Sequence, residues 1–167
     1  ERILSDLEMT WQQVEGFAVA VGPGSYTGLR IGVAAAKAMA FALGVPCAGI
    51  STLEGLAWQG MAHTGLICPV MTARQTLVYA GIYRSSGTAV TCEQADGILG
   101  QQELAQQLNA LGEPVLLVGD GAESMGNLLE QPRVLPVQLL QDGAGICLAA
   151  AAKGAWISPE QLLPSYL

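Results

Sequence analysis

Phe17-Ala18-Val19-Ala20-Val21-Gly22-Pro23-Gly24-Ser25-Tyr26-Thr27-Gly28 is the stretch whose reading decides the fold. Its run of apolar residues predicts a strand buried on both faces, as in a parallel or mixed sheet. Gly22-Pro23-Gly24 stops that strand, and Ser25 is a good N-cap for the helix that follows. The helix is predicted to reach about Leu43, with Gly44 as its C-terminal cap and Pro46 barring continuation. Gly32, Ala34, Ala35, Ala36, Ala38, Ala40 and Ala42 leave little bulk on several of its faces. One face must pack on its own sheet; a helix small nearly all round offers another to a second partner, within the chain or across an interface.

The pattern returns further along. Val115-Leu116-Leu117-Val118 leads into Gly119-Asp120-Gly121, a small residue and a helix predicted over 122–129. Before this second copy stand strands predicted at 66–71 and 76–83, joined by the turn Thr72-Ala73-Arg74-Gln75, a third at 88–92, and a helix at 101–111. Before the first copy stand only Ile3, Leu4 and Leu7 at helical spacing and a capped turn at Thr10 and Gln13. The chain opens on Glu1, and we expect a fragment that starts partway along a helix. A duplicated strand-strand-strand-helix-strand-helix unit, with its first three strands cut away, accounts for both observations. That unit builds the actin/Hsp70/sugar-kinase superfold, so the expected fold is α/β, an actin-like (ASKHA) duplication with mixed sheets flanked by helices and a first lobe truncated at its N-terminus. Residues 1–64 would be the remnant of the first lobe, 65–142 the second, and 143–167 a helix and tail returning toward the first. A strand at 45–50, a helix opened by the Ser51/Glu54 capping-box pattern and reaching about residue 62, a weak strand at 134–137 and an alanine-rich helix at 144–156 complete the reading.

Composition narrows the function. Of 167 residues, 51% are hydrophobic and 13% charged, with a mean hydropathy of +0.40, which excludes disorder. Fourteen acids against seven bases give a net charge of −7, so this chain alone is poorly suited to neutralising phosphates, and work on RNA must lean on a partner. Cys47, Cys68, Cys92 and Cys147 stand far apart with no metal or redox spacing; they read as small buried thiols of a protein in a reducing cytosol. The apolar stretches are broken by Lys37, Gly44 and Pro46 or by Lys153 and Gly154, and none predicts a membrane span.

The glycine turns are the first candidates for chemistry. Gly22, Gly24 and Ser25 at a strand-to-helix turn could let backbone N–H groups approach an anion, or could simply permit close packing. The stretch has neither the Lys of a Walker loop nor the Rossmann spacing. Gly119, Asp120 and Gly121 pose the same choice, Asp120 either orienting a ligand or metal or making a backbone turn. Thr72, Arg74 and Thr76 occupy a hairpin tip where a kinase of this superfold would hold phosphate; Arg74 could meet an anion there or simply be solvated. His63, the lone histidine, has no ligand partner at useful spacing and reads as a helix C-terminal cap. Ser25 lacks a nucleophile-elbow context.

Taken in order, Gly22-Pro23-Gly24-Ser25-Tyr26-Thr27-Gly28-Leu29-Arg30-Ile31-Gly32, Gly44-Val45-Pro46, Ile50-Ser51-Thr52-Leu53, Gly119-Asp120-Gly121-Ala122 and Leu163-Pro164-Ser165-Tyr166-Leu167 closely resemble the signature of the TsaB (YeaZ) family. The resemblance implies a two-lobed actin-like fold and a cytoplasmic bacterial protein. It implies partnership with the catalytic paralogue TsaD and the ATPase TsaE in placing threonylcarbamoyl on the adenosine beside the anticodon of tRNAs that read codons starting with A. By the same resemblance the chain would be a scaffold without catalytic or metal-binding residues, pairing with TsaD or with itself. The matching helix would supply the contact through Ser25, Tyr26, Leu29, Arg30, Val33, Ala36, Lys37 and Ala40. No cofactor is implied beyond a nucleotide at a partner interface, and tRNA would be met only through the complex.

The departures from TsaD point the same way. Where TsaD carries two metal-binding histidines four residues apart, this chain has Thr52 and Leu56, and leucine offers a metal no ligand atom. TsaD's Ser-Gly-Gly nucleotide hairpin is replaced by Thr72-Ala73-Arg74. Members of the TsaB family usually carry Asp where Thr72 stands, and the Ile-Asp-Thr-like motif of the opening strands is absent. The competing expectation is a small-molecule kinase or ATPase of the same superfold, which needs acidic Mg²⁺ ligands near the phosphates. A metallopeptidase, which needs a histidine pair, is disfavoured by the single histidine.

Overall fold

The computed structural model describes residues 2–130, 133–134 and 139–167. After a short helix α1 (Arg2–Asp6) and a 3-10 turn (Trp11–Gln13), closed by the expected capping box at Thr10, the chain forms β1 (Phe17–Gly22), α2 (Tyr26–Leu43), β2 (Cys47–Ser51) and α3 (Thr52–Gln59). Strand β1 pairs in parallel with β2, joined by α2. Residues Phe17, Val19 and Val21 turn to one face, where Val33, Ala36 and Ala40 of α2 meet them. Ala18 and Ala20 turn to the other, against Ile146, Ala149 and Ala150. The unbroken apolar run of β1 thus reflects burial on both faces.

The second sheet contains β3 (Gly65–Thr72), β4 (Leu77–Ser85), β5 (Val90–Gly100), β6 (Val115–Val118) and β7 (Arg133–Val134), in the order β5-β4-β3-β6-β7. Pairing is antiparallel through β3, β4 and β5 and parallel through β3, β6 and β7. Helices α4 (Gln101–Ala110) and α5 (Ala122–Gly126) cover one face, with Leu104, Leu108 and Met125 over Leu66, Val70 and Leu117. Helix α3 covers the other with Leu53, Leu56 and Ala57 against Ile67, Tyr83 and Leu116. Helix α6 (Gly143–Lys153) packs beside α3 and on the β1–β2 sheet. The arrangement is α/β with helix-flanked sheets, and β1–α2–β2 repeats the parallel half-unit β6–α5–β7.

Several boundaries differ from expectation. Strand β5 is much longer than 88–92, because two bulges break the alternation that marks a strand in sequence. Helix α3 stops at Gln59, before Gly60, and α5 spans five residues, Gly126 and Asn127 ending it short of Leu129. Helix α6 ends at Gly154 in a left-handed cap instead of reaching Trp156. Of the strand expected at 134–137, residue 134 lies in β7 and 135–137 lie outside the described residues. Cys47 and Cys68 are buried as expected, and burial pushes the Cys68 thiol up to about 12, but Cys92 and Cys147 are exposed. Among the described residues no helix is long and apolar enough to cross a membrane.

Candidate functional site

The tail settles how the first glycine turn is used. After α6, Ile157 makes a two-bond antiparallel bridge to Cys47 at the start of β2, and Leu162 is fully buried beneath α2. Lys37 donates through Nζ to the carbonyls of Leu162 (3.0 Å) and Glu160 (3.3 Å). The Ser165 N–H then donates to the Val21 carbonyl at 2.8 Å, and the Ser165 carbonyl lies where a side chain at Gly22 would stand. Gly22 has φ +141°, which L side chains rarely adopt. Close packing therefore replaces the anion-contact expectation at Gly22: an electronegative oxygen already faces it. Ser25 acts as the predicted N-cap, its Oγ accepting from the Gly28 N–H at 3.3 Å, and Gly24 stays exposed.

The second turn is closed from within its own sheet. Gly119, at φ +103°, leaves room for the Val70 carbonyl, which also accepts from the Gly121 N–H at 3.1 Å. Asp120 Oδ1 accepts from the Thr72 N–H at 3.1 Å, so its carboxylate fastens the β3–β4 turn, the backbone alternative of the sequence reading. Arg74 and Thr76 stand exposed at the hairpin tip. Thr52 and Leu56 are buried on α3. His63 does not cap its helix; its Nε2 is buried with no hydrogen-bond partner among the described residues. Those residues contain no group of three His, Cys, Asp or Glu side chains placed to hold a metal ion.

Helix α2 divides the eight residues expected to meet a partner. Leu29, Val33, Ala36 and Ala40 are buried against β1, β2 and Leu162, so they serve this chain's own core and cannot face a partner. The reason is helical phase: residues at 29, 33, 36 and 40 share one stripe, and the sheet takes it. Lys37 is committed to the tail carbonyls. Ser25, Tyr26 and Arg30 remain outside, with Tyr26 stacked on Tyr166 of the tail (centroids 5.2 Å apart) and Arg30 donating to the Tyr26 hydroxyl at 3.0 Å. The outward stripe consists of Ile31, Ala34, Ala35, Ala38, Met39, Phe41 and Ala42. Ile31 is 65% exposed and Phe41 54%. Sequence reasoning did not single out Ile31, Met39 and Phe41 as exposed apolar positions, although Ile31, Ala34, Ala38 and Phe41 already stand at helical spacing.

Comparison with known proteins fits this geometry. The family model described as TsaD, tRNA N6-adenosine threonylcarbamoyltransferase, matches residues 1–130. The tRNA threonylcarbamoyladenosine biosynthesis protein TsaB of Bacillus subtilis is 35% identical over 128 residues, covering 77% of this chain and 56% of that protein. An uncharacterized protein of Mycobacterium tuberculosis is 32% identical over 168 residues, covering 98% of this chain and 69% of its own. The solved structure of YeaZ from Pseudomonas aeruginosa superimposes with a TM-score of 0.84 at 25% identity, over 99% of this chain and 79% of that one. The chain spans little more than half the length of its Bacillus and Buchnera TsaB relatives.

Proposed function

We propose a function from one premise: the chain belongs to the TsaB (YeaZ) family, whose members share the TsaD-type actin-like fold. On that premise it serves tRNA threonylcarbamoyladenosine biosynthesis as a non-catalytic scaffold in the cytoplasm. It binds a TsaD-type catalytic subunit, works beside a TsaE-type ATPase, and meets the tRNAs that read A-starting codons only through that assembly. Alone it forms a homodimer through the same helix. The outward stripe of α2 carries the reading: an 18-residue helix presents Ile31, Met39 and Phe41 among alanines, and small residues let a second helix approach closely. The acidic balance, −7 over the chain, supports indirect contact with tRNA.

The test is co-elution of the full-length protein with a TsaD-type subunit in size-exclusion chromatography. Ala38→Trp adds bulk on the exposed stripe and is expected to abolish the complex with an unchanged melting temperature. Separate peaks for the unmodified pair under every nucleotide condition, or a complex that tolerates Ala38→Trp, would defeat the proposal. ATP turnover by the isolated protein would defeat its non-catalytic part.

A further inference from the structure

Among the described residues no strand of the two-stranded sheet pairs with a strand of the five-stranded one, so their relative placement rests on what packs between them. That is the seam between α3 and α6. Helix α3 lies on the larger sheet and α6 on the smaller, and the chain passes from β2 straight into α3 at Ser51–Thr52. At the centre of the seam a Cβ on Gly145 would collide with the Gly55 carbonyl oxygen and with Cγ of Gln59. In return, Ile146 fills the space beside Gly55. Backbone thus meets backbone at the crossing, an approach that only glycine permits. Sliding α6 by one turn would bring Ala149 or Asp142 to the place of Gly145, and each carries a Cβ that the Gly55 carbonyl excludes. Close-packed surfaces of this kind have discrete seatings, not a continuum.

Polar contacts bracket this notch. At the start of α6, Asp142 Oδ1 accepts from the Ala144 and Gly145 N–H groups at 2.8 and 3.2 Å. The Gln59 amide of α3, and then those N–H groups, hold the Asp142 carboxyl below the ordinary carboxylate range. At the end of α6, Lys153 Nζ bridges to Glu54 Oε2 of α3 at 2.7 Å. Lys153 is half exposed, and an exposed ion pair contributes little by itself. Its effect here is geometric: together with the Asp142 contact it pins α6 to α3 at both ends. Trp58 of α3 packs with Ile146, Ala149 and Ala150, so the two helices also share side-chain packing.

We infer that the α3–α6 seam is a conformational lock: the Gly55–Gly145 notch, with its ties at Asp142 and Lys153, holds the two sheets in one relative orientation. The sheets then do not hinge about the Ser51–Thr52 junction. The α2 surface keeps a fixed relation to the larger sheet, and a partner that grips both units meets a surface that needs no ordering. The lock does not depend on the scaffold reading; a catalytic role for the chain would leave it standing.

The test is a distance distribution between two spin labels in the full-length protein, diluted with unlabelled protein so that only distances within one chain are read. One label is placed by Thr27→Cys on α2 and the other by Gln106→Cys on α4, both exposed and away from the seam. The exposed Cys92 and Cys147 are changed to Ser, and Cys47 and Cys68 stay buried. The parent is expected to give one narrow distribution. Gly145→Ala drives α6 away from α3 and is expected to broaden it at least about twofold. Met125→Ala, in the core under α5, destabilises the protein without touching the seam and is expected to leave the distribution unchanged, which separates a lock from a general loss of stability. Should Gly145→Ala fail to fold, the double variant Gln59→Ala, Lys153→Met removes both ties while keeping the notch, and a smaller broadening is expected. A broad or two-peaked distribution in the parent overturns the inference. So does a folded Gly145→Ala with the parent's distribution or, where that variant does not fold, an unchanged width in the double variant.

Discussion

The two glycine turns share a sequence device and differ in what fills them. Both follow a parallel strand and open a helix, and in both the missing side chain leaves space for a backbone carbonyl of the same chain. At Gly119 that carbonyl belongs to Val70, on the strand hydrogen-bonded to β6. At Gly22 it belongs to Ser165, in a tail that reaches the turn from the far end of the sequence. One turn is wedged into a five-stranded sheet; the other is closed by a strap whose Leu163, Tyr166 and Leu167 are exposed. The same residue therefore has a rigid neighbour in one sheet and a yielding one in the other.

Gly119→Ala should be the most damaging way to probe that difference. The new methyl meets a carbonyl fixed in the sheet, at a backbone angle that L side chains resist, and strain plus overpacking predict a loss of about 3 kcal/mol. A urea melt measures it, and a loss below about 1 kcal/mol would mean that β3 can give way. At Gly22→Ala the angle is equally unsuitable, but the tail can lift, so we expect about 2 kcal/mol and a second signature. Release of Ser165 exposes the chain beyond Leu162 to proteolysis and frees Tyr26 from Tyr166. Proteolysis of the tail no faster than in the parent, at equal stability loss, would place the strain elsewhere.

The contrast also explains what could be read from sequence. The strand-glycine-helix echo located β1, β6 and their helices because local signals agree there: apolar runs, an N-cap at Ser25 and a left-handed cap at Gly44. Strand β5 was read short because Glu93, Gln94 and Asp96 interrupt its alternation at the bulges, a cue visible only beside its partner strand. The inward phase of Leu29, Val33, Ala36 and Ala40 was not legible, because a helix small on several faces does not announce which face its sheet takes. The occupants of both turns were invisible for a related reason: Gly22 meets a residue 143 positions away in sequence and Gly119 one 49 positions away, the separations of Ser165 and Val70. The Asp96 carboxylate likewise accepts from the Ser51 and Tyr83 hydroxyls, which come from two distant strands with no spacing to betray the contact.

Asp120→Ala should be the mildest change, and it sharpens the comparison by separating the turn's glycines from the acid between them. Asp120 contributes one described hydrogen bond, to the Thr72 N–H at 3.1 Å, on the exposed side of the turn. Water can take over an exposed donor, so the loss should be about 0.5–1 kcal/mol, well below that at either glycine. The effect should stay local, with faster amide exchange at Thr72 and unchanged exchange at Val118, where the β3–β6 ladder is intact. A loss as large as that of Gly119→Ala would mean that the carboxylate, not the glycine, holds β3 to the turn. The second turn would then be fastened by a side chain, as the first is by Lys37 on the tail carbonyls, and the contrast between a rigid and a yielding neighbour would disappear.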